Sequence, residues 1–147
     1  MLTKNQINDC FKANIHCSQI VLGEFAEELG YDREEAYRMA NAFGGGSFIG
    51  DTCGCVQGAS IAIGLKYGND TPNNKDQDML CRQKLARFQK EFKEKNGSLE
   101  CRALIGYDFG KEGDAEKAFE SGKIFDVCPG YVQDAIAILR KMFDEDK

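Results

Sequence analysis

The sequence predicts an all-α fold, a single-domain bundle of about six to seven helices, and three observations predict it. Proline occurs only at positions 72 and 129, so little interrupts helical runs. Apolar residues recur at three- and four-residue spacing, with little of the β-branched alternation that strands require. Cap signals stand at the heads of successive segments. At 147 residues the chain reads as one domain, 1–147, able to bury roughly two-thirds of the surface its unfolded form exposes. It needs no disulfide to fold.

Thr3 with Gln6 forms a capping-box pair that opens a first helix carrying Ile7, Cys10 and Phe11. Asn14 is expected to end it and to cap a second helix. That helix holds Cys17 in its first turn, then Ile20, Val21, Phe25 and Leu29 on one face before Gly30 stops it. Asp32 with Glu35 begins a third helix through Tyr37, Ala40 and Phe43. A glycine-rich turn, 44–50, leads to a fourth helix starting near Thr52, where Val56, Ala59, Ile63 and Tyr67 recur at helical spacing. Its Gly54, Gly58 and Ala62 form a stripe that another backbone or a flat cofactor could approach closely.

After the breaker-rich stretch 69–75, Asp76 is expected to open a fifth helix, with Cys81, Leu85, Phe88 and Phe92 as its core stripe and Gly97 beyond its end. Ser98 caps a short sixth helix, 99–105, placing Cys101 at its third position. The segment 106–126 is poorly patterned, with a short helix expected over 114–119. Pro129 suits a first helical position, which makes Cys128 the cap of a last helix whose stripe is Val132, Ala135, Ile136, Leu139 and Phe143.

A formal charge of −5 argues against nucleic acid, whose phosphates demand a basic face. The run KEFKEK at 90–95 interleaves its signs as a solvated helix face does, and the final Asp144-Glu145-Asp146-Lys147 is expected to fray. The first ten residues are polar, unlike a signal peptide, and no apolar run approaches the roughly 20 residues of a membrane span. Seven cysteines, an odd number, cannot all pair within one chain. The expected setting is cytoplasmic, with the thiols reduced or holding metal.

Cys10 and Cys81 sit in apolar stripes and read as packing residues. Cys17, Cys53, Cys101 and Cys128 instead flank turns, each at an expected helix start. There the unpaired N–H groups and the positive end of the peptide dipoles favour a thiolate and an anionic cofactor. Four thiolates brought together by the fold could hold an iron–sulfur cluster or Zn²⁺, or form redox-active disulfides. None belongs to a CxxC pair, and no C-x-x-C-H is present, so covalent haem attachment is not expected. Cys53-Gly54-Cys55 is either a vicinal redox pair or one reactive thiol beside a packing one. His16, the only histidine, either tunes Cys17, joins it as a ligand, or is a bland helix-start residue. The glycine turn lacks the strand and the GK[ST] ending of a phosphate loop and reads as a tight turn delivering Cys53. No nucleophile elbow or second histidine supports a hydrolase.

Cys17-Ser18-Gln19-Ile20-Val21-Leu22, Phe43-Gly44-Gly45-Gly46, Cys53-Gly54-Cys55-Val56-Gln57-Gly58-Ala59 and Gly64-Leu65-Lys66-Tyr67-Gly68, followed by the lone Cys101 and Cys128, resemble the small redox-active protein family named for its C-GCAxxG-C-C cysteine pattern. The resemblance spans nearly the whole chain. It implies a helical fold and four shared cysteines, Cys17, Cys53, Cys101 and Cys128. A similar domain stands in split-Soret cytochromes, where an iron–sulfur site accompanies the haems. An iron–sulfur or related metal site serving electron transfer is therefore implied, in an electron carrier or an oxidoreductase. The family's usual residue after Cys-Gly is Ala, where this chain has Cys55; the ligand set stays open between Cys53 and Cys55, or admits both. A metal-free thiol–disulfide protein and a soft-metal module for Zn²⁺ or Cu(I) are the competing readings. The partners expected are a redox protein and, as a homodimer, a second copy of the chain.

Overall fold

The structure, a computed structural model that describes residues 1–147, is a bundle of eight helices without a strand. α1, Lys4–Lys12, opens on the expected capping box: the Gln6 amide donates to Thr3 Oγ1 at 3.1 Å and Thr3 N–H to Gln6 Oε1 at 2.9 Å. Asn14, in the left-handed region at φ 63°, ends it. His16 rather than Asn14 caps α2, Cys17–Phe25, with its N–H bound to Gln19 Oε1 at 2.8 Å. α3, Arg33–Ala40, begins with Glu35 N–H donating to Asp32 Oδ1 at 2.7 Å. α4 is Gly54–Tyr67, and α5, Lys75–Asn96, starts at an Asn74 cap and stops at Gly97, φ 91°. α6, Cys101–Ile105, α7, Asp114–Glu120, and α8, Lys123–Glu145, complete the chain.

α2 lies between α3 and α4, and α4 in turn packs on α5. α8 crosses α2, α4 and α5 and carries α1, α6 and α7 on its other sides. The main core holds Leu22, Phe25, Val56, Ile63, Phe88, Phe92, Leu139 and Phe143, with Phe25 edge-on to Phe143 at 5.2 Å. A second, smaller core of Cys101, Ile105, Ala118, Ile124 and Cys128 fills the space where α6, α7 and α8 meet. No helix is long and apolar enough to cross a membrane.

The small-residue stripe of α4 is used for backbone approach. A Cβ on Gly58 would stand 2.5 Å from the Ser18 carbonyl oxygen of α2, and one on Gly54 would collide with Cys17 Sγ. The crossing is therefore closer than any residue but glycine permits. Ser18, fully buried there, donates its hydroxyl to the Ala40 carbonyl at 2.7 Å, and Gln19 Nε2 donates to the Tyr37 carbonyl at 3.1 Å. The two polar side chains of α2 thereby fasten the end of α3.

Two further expectations need correction. Pro129 does not begin the last helix: α8 starts six residues earlier, at Lys123, with both Cys128 and Pro129 inside it. A proline there leaves the carbonyl four residues back without its donor, and Asn8 Nδ2 of α1 donates to that Phe125 carbonyl at 3.2 Å. A side chain from the opposite end of the chain replaces the missing N–H, so the helix continues through the proline. The C-terminal residues are also tied down. Asp146 Oδ2 accepts from Tyr67 Oη at 2.6 Å and Lys84 Nζ at 2.8 Å, and Arg87 pairs with Glu145 at 2.7 Å.

Gly58→Ala should lower the unfolding free energy by about 1–3 kcal/mol through overpacking against α2. Gly64→Ala, whose Cβ meets nothing within 4 Å, should be neutral or stabilising by up to about 1 kcal/mol; urea midpoints of the two variants test the contrast. Lys84 first, then Tyr67, hold the Asp146 carboxyl below its usual range. A depressed carboxylate stabilises the fold above its unfolded value and loses that contribution as pH falls through its folded one. The midpoint difference between wild type and Asp146→Asn, present at neutral pH, should close as pH drops below about 4.

Candidate functional site

Five cysteines, Cys17, Cys53, Cys55, Cys101 and Cys128, border a single cavity of about 50 Å³, several times the space one water needs. The remaining wall is mainly apolar and aromatic, with Phe11, Leu104, Ile105, Phe109, Phe119, Ile124 and Tyr131. All four cysteines singled out as turn-flanking are present, together with Cys55. Cys10 and Cys81 lie outside it, packed against the main core.

Cys17 is the first residue of α2, where amide hydrogens are unpaired. Its sulfur lies against the Cys55 thiol and close to the backbone N–H groups of Gly45 and Ser18. The Cys55 thiol first, and the backbone amides with it, pull the Cys17 thiol below its ordinary value against the opposing effect of burial. Cys55, in the first turn of α4 and 1% exposed, is pushed well up by burial, and by its contacts with Cys17 and Cys53. Burial likewise raises Cys101 and Cys128. The cavity thus shifts Cys17 toward the thiolate and Cys55, Cys101 and Cys128 toward the neutral thiol.

Cys53 and Cys101 are positioned by an isolated antiparallel bridge between Thr52 and Glu100. Cys53 N–H donates to Leu99 O and Cys101 N–H to Asp51 O, both at 2.7 Å. Alternation along this ribbon puts the two cysteines diagonally on one face, within side-chain reach. The bridge also corrects the start of α6: Glu100 stays extended to make it and the Leu99 carbonyl accepts from Cys53, so the helix begins at Cys101, not Leu99. Cys53 is the cap of α4. Three of the four cysteines therefore stand at helix starts, and Cys128 does not. Cys128 enters the cavity from mid-helix, next to the Pro129 break that Asn8 spans.

The glycine-rich turn does more than deliver Cys53. Gly45, Gly46, Ser47 and Phe48 are four successive left-handed residues, φ 58°, 63°, 58° and 59°. A Cβ on Gly45 would strike the Phe109 ring, and one on Gly46 would stand 2.5 Å from the Asp51 nitrogen. The turn so formed aims the Gly45 amide at Cys17. Its Phe48, partly exposed, stands edge-on to His16 at 5.1 Å. Burial pushes the His16 imidazole down, toward the neutral form. His16 lines the cavity beside Cys17.

Sequence reasoning missed the aromatic wall. Phe109 and Phe119 come from the poorly patterned 106–126 segment, and Tyr131 is fixed by a bond from its hydroxyl to the Leu104 carbonyl at 2.8 Å. Phe11 alone carried a signal, its place on the apolar face of α1. No group of three or more His, Cys, Asp or Glu side chains is arranged to hold a metal ion. The donor chemistry nevertheless suits a thiolate-bound group, because four separate chain segments supply thiols to one apolar space and backbone amides already serve one sulfur.

No curated protein and no solved structure matches the chain. One family profile does, over residues 15–142, with the description "Putative redox-active protein (C_GCAxxG_C_C)". That span runs from just before Cys17 to beyond Cys128 and includes every thiol of the cavity, and the chain belongs to the C_GCAxxG_C_C family of redox-active proteins.

Proposed function

We propose that the protein is a cytoplasmic electron carrier that holds an iron–sulfur cluster through Cys17, Cys53, Cys101 and Cys128 and exchanges electrons with a partner redox protein. The observation that carries this reading is the convergence of those thiols, from four separate segments, on one half-open, mainly apolar cavity. An iron–sulfur cluster held there supplies reversible one-electron chemistry.

The chain's own residues suit that task in three ways. The Gly45 and Ser18 amides give the Cys17 sulfur donors that disperse thiolate charge, a contact that raises reduction potential. The ribbon at Thr52 and Glu100 fixes Cys53 and Cys101 through backbone bonds, so their spacing does not depend on flexible side chains alone. The aromatic and aliphatic wall excludes water and lowers the local dielectric.

Protein prepared without oxygen, or reconstituted with iron and sulfide, should be coloured and contain both elements. Cys101→Ser should lose iron and sulfide by roughly tenfold or more, as loss of a ligand demands. Cys81→Ser should keep both at the wild-type level and cost about 1 kcal/mol of stability. Colourless, metal-free wild type after reconstitution, or equal cofactor loss in the two variants, would refute the reading. Zinc or copper without sulfide would replace it with a soft-metal module.

A further inference from the structure

Cys55 is the one cavity thiol that the cluster reading leaves without a task. It is 1% exposed, and its thiol lies against the Cys17 sulfur. Cys17 comes to it from another helix. The Cys17 sulfur occupies the place that a Cβ on Gly54 would take, so it is seated against the first turn of α4, immediately beside Cys55. Only glycine at 54 leaves that place open. Cys17 is itself half-buried at the cavity wall.

We infer that Cys17 and Cys55 are a redox-active thiol pair, which closes to a disulfide in the cluster-free protein on contact with a small-molecule disulfide. The competing partner for Cys55 is Cys53, which it also touches. That closure would tie the cap residue of α4 to the second residue of its first turn across a single glycine, a span that strains disulfide geometry. The Cys17–Cys55 closure instead joins two helices whose backbones already meet at Gly58, and asks for no unwinding.

The exchange proceeds in two steps. The Cys17 sulfur attacks one sulfur of glutathione disulfide; a mixed disulfide forms at Cys17, and the departing glutathione thiolate takes the proton that Cys17 gives up. Cys55 then loses its proton and attacks Cys17 Sγ, expelling the second glutathione thiolate, which takes that proton. Two protein thiols are oxidised by two electrons and one glutathione disulfide is reduced to two glutathiones. Because Cys17 belongs to both sets, the closed pair withholds one ligand from the four-cysteine set. That competition rests on the cluster reading, whereas the pair itself does not.

The test uses full-length protein freed of metal by chelation and treated with glutathione disulfide. Two of the seven thiols should become untitratable without retained glutathione, and dithiothreitol should restore them. Digestion and mass spectrometry should find the peptide containing Cys17 joined to the peptide containing both Cys53 and Cys55. The cross-link should persist in Cys53→Ala and vanish in Cys55→Ala and Cys55→Ser, where Cys17 keeps its glutathione. Reduced Cys55→Ala should take up more iron than Cys101→Ser. A Cys53–Cys55 bond, no loss of thiols, or iron loss in Cys55→Ala as large as in Cys101→Ser would overturn the inference. If the cross-link forms but no variant ever binds iron, the cluster reading falls and the pair stands.

Discussion

The close crossing of α2 over the first two turns of α4 is the constraint on which the rest of the molecule depends. Glycine at 54 and 58 lets the Ser18 carbonyl and the Cys17 sulfur occupy space that any side chain would fill. Everything near the cavity follows from that register. Ser18 and Gln19, forced into the interior, take the Ala40 and Tyr37 carbonyls and set the exit of α3. The chain leaving α3 at Ala40 must then return to the head of α4 at Gly54, and the glycine turn makes that return past the Cys17 sulfur. One contact between two backbones thus fixes the separation of Cys17 from Cys53 and Cys55.

The turn itself is a local cost. A left-handed conformation disfavours each non-glycine residue by roughly 1–2 kcal/mol, and Ser47 and Phe48 both adopt it. Their neighbours offset that cost. Asp51 N–H closes the turn onto the Gly46 carbonyl at 3.1 Å, and the Asp51 carbonyl is held in turn by Cys101 N–H. Arg102 approaches the carboxylates of Asp51 at 3.5 Å and Glu100 at 3.2 Å, but these pairs are largely exposed and contribute little beside the backbone bonds. What the arrangement achieves is a backbone donor at a sulfur, which no side-chain substitution could supply.

Local signals in the sequence were enough for most helices. The Thr3–Gln6 and Asp32–Glu35 boxes, the Gly97 stop and the periodic stripes of α4 and α5 each act within one or two turns. The separation of Cys10 and Cys81 from the cavity thiols was legible for the same reason, since stripe membership is a local property. Where the reading failed, a distant partner outweighed a local preference. Pro129 favours a helix start until Asn8, 117 residues from Phe125 in sequence, supplies the donor for the Phe125 carbonyl. The acidic tail frays unless Tyr67 and Lys84 are waiting for Asp146. Ser98 caps a helix unless Leu99 and Glu100 are drawn into a bridge with the Cys53 segment. The aromatic wall was illegible because its residues lie in short elements with no period to detect.

Thiol chemistry explains why such a cavity can exist before anything fills it. A neutral cysteine behaves as a small hydrophobe, so burying Cys55, Cys101 and Cys128 protonated costs the fold little. Burying them as thiolates would be expensive, and burial accordingly raises all three. Cys17 instead has donors that shift it toward the anion. On the cluster reading, the thiols that serve as ligands must release their protons as they bind, and the positive charge that compensates them comes from the metal. The asymmetry therefore orders the site: Cys17 is prepared by the protein, whereas Cys101 and Cys128 become anionic only when a cation stands beside them. Cys55, neutral and already in contact with Cys17, is placed to act on that sulfur when no cation is there.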